Sequence, residues 1–242
     1  MNLIFKSEII EYEHIGNGNK NILFLHGWGG NKNSFQTTIN LLKNKFKILS
    51  ITMPTIKNTN LAWNLYDYCN LILSILKLHN IYSTSIVCHS FGFRVATILK
   101  HYINIEELII TGGAGPKKVY KMKILQLQNN KVLTLINPKK YSLKHFESKD
   151  YSILSETNKN TFKNIVNFNL KNHINFNCPI LLFWGKKDTD TKLWIAKLIK
   201  KQNNAKLITT NSDHFAYLKL NSLFNHEIIK FLEKGLWNGF CF

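Results

Sequence analysis

Apolar residues in this chain occur in two alternating patterns: short unbroken runs, and stretches spaced at the helical period. The runs NILFL (21–25), FKILSI (46–51), STSIVC (83–88), ELIITG (107–112), PILLFWG (179–185) and AKLITT (205–210) read as strands. Continuous runs of this kind fit strands buried on both faces. LIF (3–5) and EIIEYEHI (8–15) precede them as two further strand candidates, closed by a turn at NGN. Between 61 and 79, Leu61, Leu65, Tyr68, Cys69, Ile72, Ile75 and Leu76 share one helical face, opposite Asn64, Asp67, Asn70 and Lys77. Val95, Ile98, Leu99 and Tyr102 mark a helix after STSIVC, and Phe224, Ile228, Phe231 and Leu232 mark a last one. Helices are also expected from near Asn33 and over 191–201. Strands alternating with helices predict an α/β architecture, with a mostly parallel central sheet covered by helices on both faces.

Residues 115–177 break the alternation. They are rich in lysine and asparagine, read as helical or irregular, and contain no buried-strand run. The organisation predicted is a core formed by 1–114 and 178–242, interrupted by a lid insertion at 115–177. No internal repeat is visible.

At 242 residues and 45% hydrophobic content the chain is long enough for one domain with a substantial core. No run of about 18 apolar residues occurs, so no membrane span is expected. The opening MNLIFKSEII lacks a long apolar stretch and a small-residue cleavage site, which points to a cytoplasmic protein. Cys69, Cys88, Cys178 and Cys241 are scattered without CxxC spacing, so free thiols are expected rather than disulfides or a zinc site. The net charge of +18 favours acidic partners. Its lysines are spread widely, and no helix-turn-helix, RNP-like pattern or dense basic arm accompanies them, so no nucleic-acid partner is expected.

In such a sheet, ligands bind beyond the carboxyl ends of the strands. Four strand ends carry polar or glycine-rich residues: HGWGG, CHSFG, GKKDTD and NSDHF. The last three offer Ser90, Asp188 and His214 in chain order. A serine hydroxyl needs a base to become nucleophilic, and it must stand clear of the sheet. A sharp strand-to-helix turn provides that clearance and requires small neighbours. Gly92 supplies one and Cys88 takes the place of the other. The alternative is that Ser90 merely caps the following helix. Asp188 would hold the His214 imidazole in one tautomer; Asp190 and Asp213 are rival acids. The HGWGG turn can expose an N–H donor for an oxyanion, with Trp28 N–H and Phe91 N–H as the pair, or it is a plain connection. His26 reads as structural. No HxxxH-like spacing occurs on a helix, so neither a metal nor a cofactor is expected.

LHGWGG (25–30), CHSFGFR (88–94), WGKKDTDT (184–191) and DHF (213–215) together resemble the α/β-hydrolase family across nearly the whole chain. The resemblance implies Ser90 as nucleophile, Asp188 as acid, His214 as base, and Trp28 and Phe91 as oxyanion-hole donors. It also matches the insertion to the family's lid. Cys88 and Phe93 stand where glycines are common, MPTIKN (53–58) lacks the usual acidic residue, and AYLKLN lacks the family's glutamate-x-proline. The function so implied is hydrolysis of a carboxylic ester with a small or medium acyl group through an acyl-enzyme. HGWG further resembles carboxylesterases that release a methyl ester from an acyl chain on acyl carrier protein. Lys117, Lys118, Lys121, Lys123, Lys139, Lys140 and Lys144 would then form a docking face for that acidic carrier. Carbon–carbon bond hydrolysis on the same three residues, and a non-catalytic ligand-binding role, are the other readings.

Overall fold

In a computed structural model, residues 1–55, 59–116 and 154–237 are described. Eight strands form one sheet: β1 (Asn2–Phe5), β2 (Glu8–Ile15), β3 (Asn21–Leu25), β4 (Lys47–Ile51), β5 (Ser83–His89), β6 (Asn104–Thr111), β7 (Ile180–Gly185) and β8 (Ala205–Thr210). Their order is β1-β2-β4-β3-β5-β6-β7-β8. β2 is antiparallel to both β1 and β4, and every pairing from β4–β3 onward is parallel. The helices are α1 (Gln36–Leu42), α2 (Leu65–Leu78), α3 (Phe91–Leu99), α4 (Glu156–Asn167), α5 (Trp194–Gln202), α6 (Ala216–Lys219) and α7 (Asn221–Trp237).

The unbroken apolar runs are explained by the two-residue period of a strand. In β3, Leu23 and Leu25 enter one core while Ile22 and Phe24 enter the other. β7 divides in the same way, with Ile180, Leu182 and Trp184 on one side and Leu181 and Phe183 on the other. One core is closed by α2, α3 and α5, the other by α1 and α7. Both faces of the sheet therefore need apolar side chains.

Helix boundaries depart from the periodicity in three places. α2 begins at Leu65, because Asn64 and Asp67 form a reciprocal cap in which each side chain accepts from the other's backbone N–H. Asn64 is thus the end of the helix and not part of its polar face, and Leu61 lies outside it, exposed. α1 begins at Gln36 rather than Asn33: the Asn33 N–H donates to the Asn31 side chain and the Asn31 N–H to the Ser34 hydroxyl, which holds 31–34 in turns. Tyr102 follows the end of α3 and is exposed, while all nine residues of that helix are buried. Among the described residues no helix is long and apolar enough to cross a membrane.

Candidate active site

β5 runs buried to His89 and then reverses direction within one residue. Ser90 has φ 46° and ψ −109°, a left-handed backbone that a side chain rarely adopts, and α3 starts at the next residue. Such a conformation costs on the order of 1–3 kcal/mol and persists only where surroundings enforce it. The enforcement is visible. Ser90 N–H donates to Thr111 O at 3.2 Å, and Ala114 N–H donates to Ser90 O at 3.0 Å. Gly92 lies so close to β3 that a Cβ there would sit 2.3 Å from Leu25 O. A Cβ on Gly27 would sit 2.7 Å from the His89 ring and 3.3 Å from the Ser90 Cβ. The serine is left half-buried, and its hydroxyl makes no hydrogen bond among the described residues. Cys88, in the small position before it, faces the core: its thiol donates to Ile109 O at 3.5 Å, and burial pushes its pKa well up.

Asp188 follows β7 and His214 follows β8. His214 Nδ1 donates to Asp188 Oδ2 at 2.9 Å, and both residues are buried. The carboxylate also accepts from Asp190 N–H (2.9 Å), Thr191 N–H (2.8 Å) and the Thr191 hydroxyl (2.8 Å). Burial alone would raise the Asp188 pKa. The hydrogen bond and charge of His214, with the bonds from Thr191, outweigh burial and hold the acid below the ordinary carboxylate range. The rival acids are placed differently. Asp190 is exposed and reaches Asp188 through its backbone, and Asp213 is half-buried and pairs with Lys219. Asp188, Asp190 and His214 bring three ligand-type atoms within 4.8 Å of one another. The oxygens of Asp188 are taken by N–H and O–H donors, however, and Nδ1 carries the proton, so this is the donor set of an acid–imidazole pair.

Two other histidines surround the elbow as neutral spacers. His26 Nε2 accepts from Met53 N–H at 2.8 Å, so Nδ1 carries the proton toward Gly27 O at 2.7 Å. Burial pushes its pKa down to about 4. His89 Nδ1 lies 2.9 Å from Thr111 O, and burial, with His214 adding to it, lowers its pKa to about 3. The His89 and His214 rings lie 4.6 Å apart between centroids. The residue before Ser90 is therefore in van der Waals contact with the imidazole of the acid–base pair.

Trp28 and Phe91, named for their N–H groups, meet ring to ring at 5.8 Å between centroids. Neither N–H donates to another group among the described residues, and Phe91 is the first residue of α3, where backbone donors lack helical partners. The Trp28 indole also meets Phe162 of α4, at 5.2 Å. α4 lies within residues 115–177; the lysines from Lys117 to Lys144 lie outside the described residues, as does the aromatic tail beyond Trp237.

Sequence reasoning missed two residues near the site. The buried guanidinium of Arg94 donates to Gly115 O (3.2 Å), Ile165 O (2.7 Å) and Phe168 O (2.9 Å), which ties α3 to the carboxyl end of α4. Thr191 lies beside the acid–imidazole pair. Its polarity was visible in WGKKDTDT, but nothing local shows that its side chain turns inward.

A mostly parallel eight-stranded sheet, helices on both faces, a sharp strand-to-helix elbow after β5 and polar loops after β7 and β8 define the α/β-hydrolase fold. Solved structures with this fold include an esterase from Exiguobacterium antarcticum, with a TM-score of 0.72 at 15% identity over 93% of this chain and 96% of that one. A hydrolase from Pseudomonas aeruginosa gives 0.73 at 15% identity, covering 96% and 97%. A meta-cleavage product hydrolase from Pseudomonas fluorescens gives 0.67 at 14% identity, covering 97% of each. Among curated proteins, the chain is similar to the pimeloyl-[acyl-carrier protein] methyl ester esterase of Wigglesworthia glossinidia brevipalpis, at 24% identity over 251 residues, 91% of this chain and 96% of that protein. No protein-family model matches the chain.

Proposed function

We propose that the protein is a serine hydrolase that cleaves a carboxylic ester of a small or medium acyl group. The observation that carries this reading is the left-handed backbone at Ser90, together with a histidine that packs against the preceding His89 ring and whose Nδ1 is bonded to Asp188. With Nδ1–H donated to the carboxylate, Nε2 is left as the acceptor. Ser90 Oγ attacks the ester carbonyl while His214 Nε2 takes its proton. The Trp28 and Phe91 N–H groups stabilise the tetrahedral oxyanion. His214 then protonates the leaving alcohol, and water attacks the acyl-serine by the same route in reverse. Residues 115–177 form the lid in this reading, with α4 within its described part.

Turnover of p-nitrophenyl esters from acetyl to octanoyl, compared with Ser90→Ala, tests it. Loss of all but residual activity in the variant is expected. Equal rates in the two proteins would discard the serine mechanism.

A finer reading is favoured by the curated relative, which is a methyl ester esterase for a carrier-bound acyl chain. The +18 charge of this chain suits an acidic carrier. Turnover of a carrier-bound methyl ester should then fall steeply with salt, and charge reversal at Lys139 and Lys140 should raise KM. Salt-independent turnover of the carrier-bound ester would leave the simpler esterase reading.

A further inference from the structure

Thr191 occupies a position that the acid, the base and the nucleophile do not account for. It is buried, and its hydroxyl oxygen is within hydrogen-bonding distance of three groups: Asp188 Oδ2 at 2.8 Å, Gly112 O at 2.9 Å and His214 Nδ1 at 3.2 Å. The side chain is fixed from behind, because the Thr191 carbonyl accepts from the buried Trp184 indole at 2.6 Å. Gly112 is itself against the imidazole. It has φ +52°, and a Cβ there would sit 3.0 Å from His214 Nδ1 and 3.1 Å from Cε1. The backbone of Gly112 is therefore the floor on which the histidine ring rests.

A hydroxyl has one proton and two lone pairs. Only one of the two acceptors, Gly112 O or Asp188 Oδ2, can take that proton at a time. With the proton donated to either, the lone pairs of Oγ1 remain available to Nδ1–H at 3.2 Å. Nδ1–H thus has two acceptors, a carboxylate at 2.9 Å and a hydroxyl at 3.2 Å, anchored by different parts of the chain. Rotation of the ring about its Cα–Cβ bond, or a flip about Cβ–Cγ that puts Cδ2 in the place of Nδ1, loses both.

We propose that Thr191 is a positioning residue for His214: its hydroxyl, held between the Asp188 carboxylate and the Gly112 carbonyl, locks the plane and the tautomer of the imidazole. The proposal rests on the serine-hydrolase reading for its consequence in turnover, although the hydrogen-bond geometry does not. A threonine is suited to the role because its methyl group fills the buried space while the hydroxyl is oriented by a stiff β-branched rotamer.

Thr191→Val keeps the shape and removes the hydroxyl. Its kcat on a p-nitrophenyl ester should fall about tenfold with KM little changed, since a hydrogen bond to a charged or charging group is worth about that factor. Thr191→Ser should restore most of the rate. In proton NMR, the low-field Nδ1–H signal of His214 should be sharp in the natural protein, and in Thr191→Val it should broaden or shift. Should Thr191→Val not fold, Thr191→Ala carries the same expectations. If Ser90→Ala is inactive while Thr191→Val matches the natural protein in kcat and in the Nδ1–H signal, the positioning role is wrong and the hydrolase reading stands. If Ser90→Ala retains full turnover, the hydrolase reading fails, and the Nδ1–H signal still decides whether Thr191 holds the ring.

Discussion

The elbow after β5 and the helix α4 that faces it are held by different means. At the elbow the constraints are backbone contacts: Gly92 against Leu25 O, and Ser90 bonded through N–H and C=O to Thr111 and Ala114. α4 is held by side chains reaching across the chain. Arg94 grips its carboxyl end, the Thr161 hydroxyl accepts from Trp63 N–H at 2.9 Å, and the Asn164 amide donates to Trp63 O at 3.2 Å. Backbone contacts leave no room for adjustment, whereas side-chain ties can be loosened one at a time. The position of Ser90 should therefore fail abruptly on substitution, and that of the helix by degrees.

The largest effect is expected at Gly92. In Gly92→Ala the new methyl meets Leu25 O, so α3 must move away from β3 and carry Ser90 with it. Ester turnover should drop by about 100-fold or more even where circular dichroism shows a folded protein, because catalytic groups tolerate displacement of only about 1 Å. Retention of normal kcat would mean that the elbow has more slack than its contacts imply.

Acid should weaken the elbow region next. His26 has an ordinary pKa of 6.5 when unfolded and about 4 when buried, so the unfolded chain binds the proton that the native ring refuses. Stability from this residue is complete above about pH 6.5 and falls as the pH drops toward about 4, by on the order of 3 kcal/mol. His89 acts in the same direction, down to about pH 3. Asp188, with its pKa lowered, loses its contribution only below the ordinary aspartate value of 3.8. The protection factor of the Met53 N–H, which donates to His26, should fall between pH 7 and 4.5 once the intrinsic slowing of exchange in acid is divided out. A flat urea midpoint across that window would contradict it.

Arg94→Met should cost about 3 kcal/mol, because several buried carbonyls lose a charged donor at once. The urea midpoint should fall accordingly. Since the substitution frees α4 and leaves the elbow in place, KM should change more than kcat. Thr161→Val is the mildest case. It strands the Trp63 N–H and should cost about 1–2 kcal/mol in urea unfolding, with ester kcat unchanged. A large kcat loss in either variant would erase the distinction between the two regions.

The same distinction explains what could be read in advance. Strands β3 to β7 were legible because they are buried on both faces over most of their length, so composition alone marks them. The elbow was legible because its steric demands fall on neighbours: Gly92 lies two residues from Ser90. Asp188 was read together with two rivals, and three-dimensional placement separates it from Asp190 and Asp213. The start of α2 was misread because Asn64 and Asp67 suit a polar helix face as well as a cap. The ties on α4 were invisible. Thr161 and Trp63 are 98 residues apart, and Arg94 and Ile165 are 71 apart. Local pattern says nothing about which distant carbonyl a buried guanidinium will meet, nor that the Thr191 hydroxyl turns toward His214.

Treatment with a fluorophosphonate, followed by mass spectrometry of the digested protein, tests the central claim most directly. The account predicts one phosphonyl adduct, on Ser90, with labelling abolished in Ser90→Ala and slowed at least about 100-fold in His214→Ala, as expected when a nucleophile loses its base. An unlabelled Ser90 in the folded protein, or labelling that proceeds equally fast without His214, would contradict it.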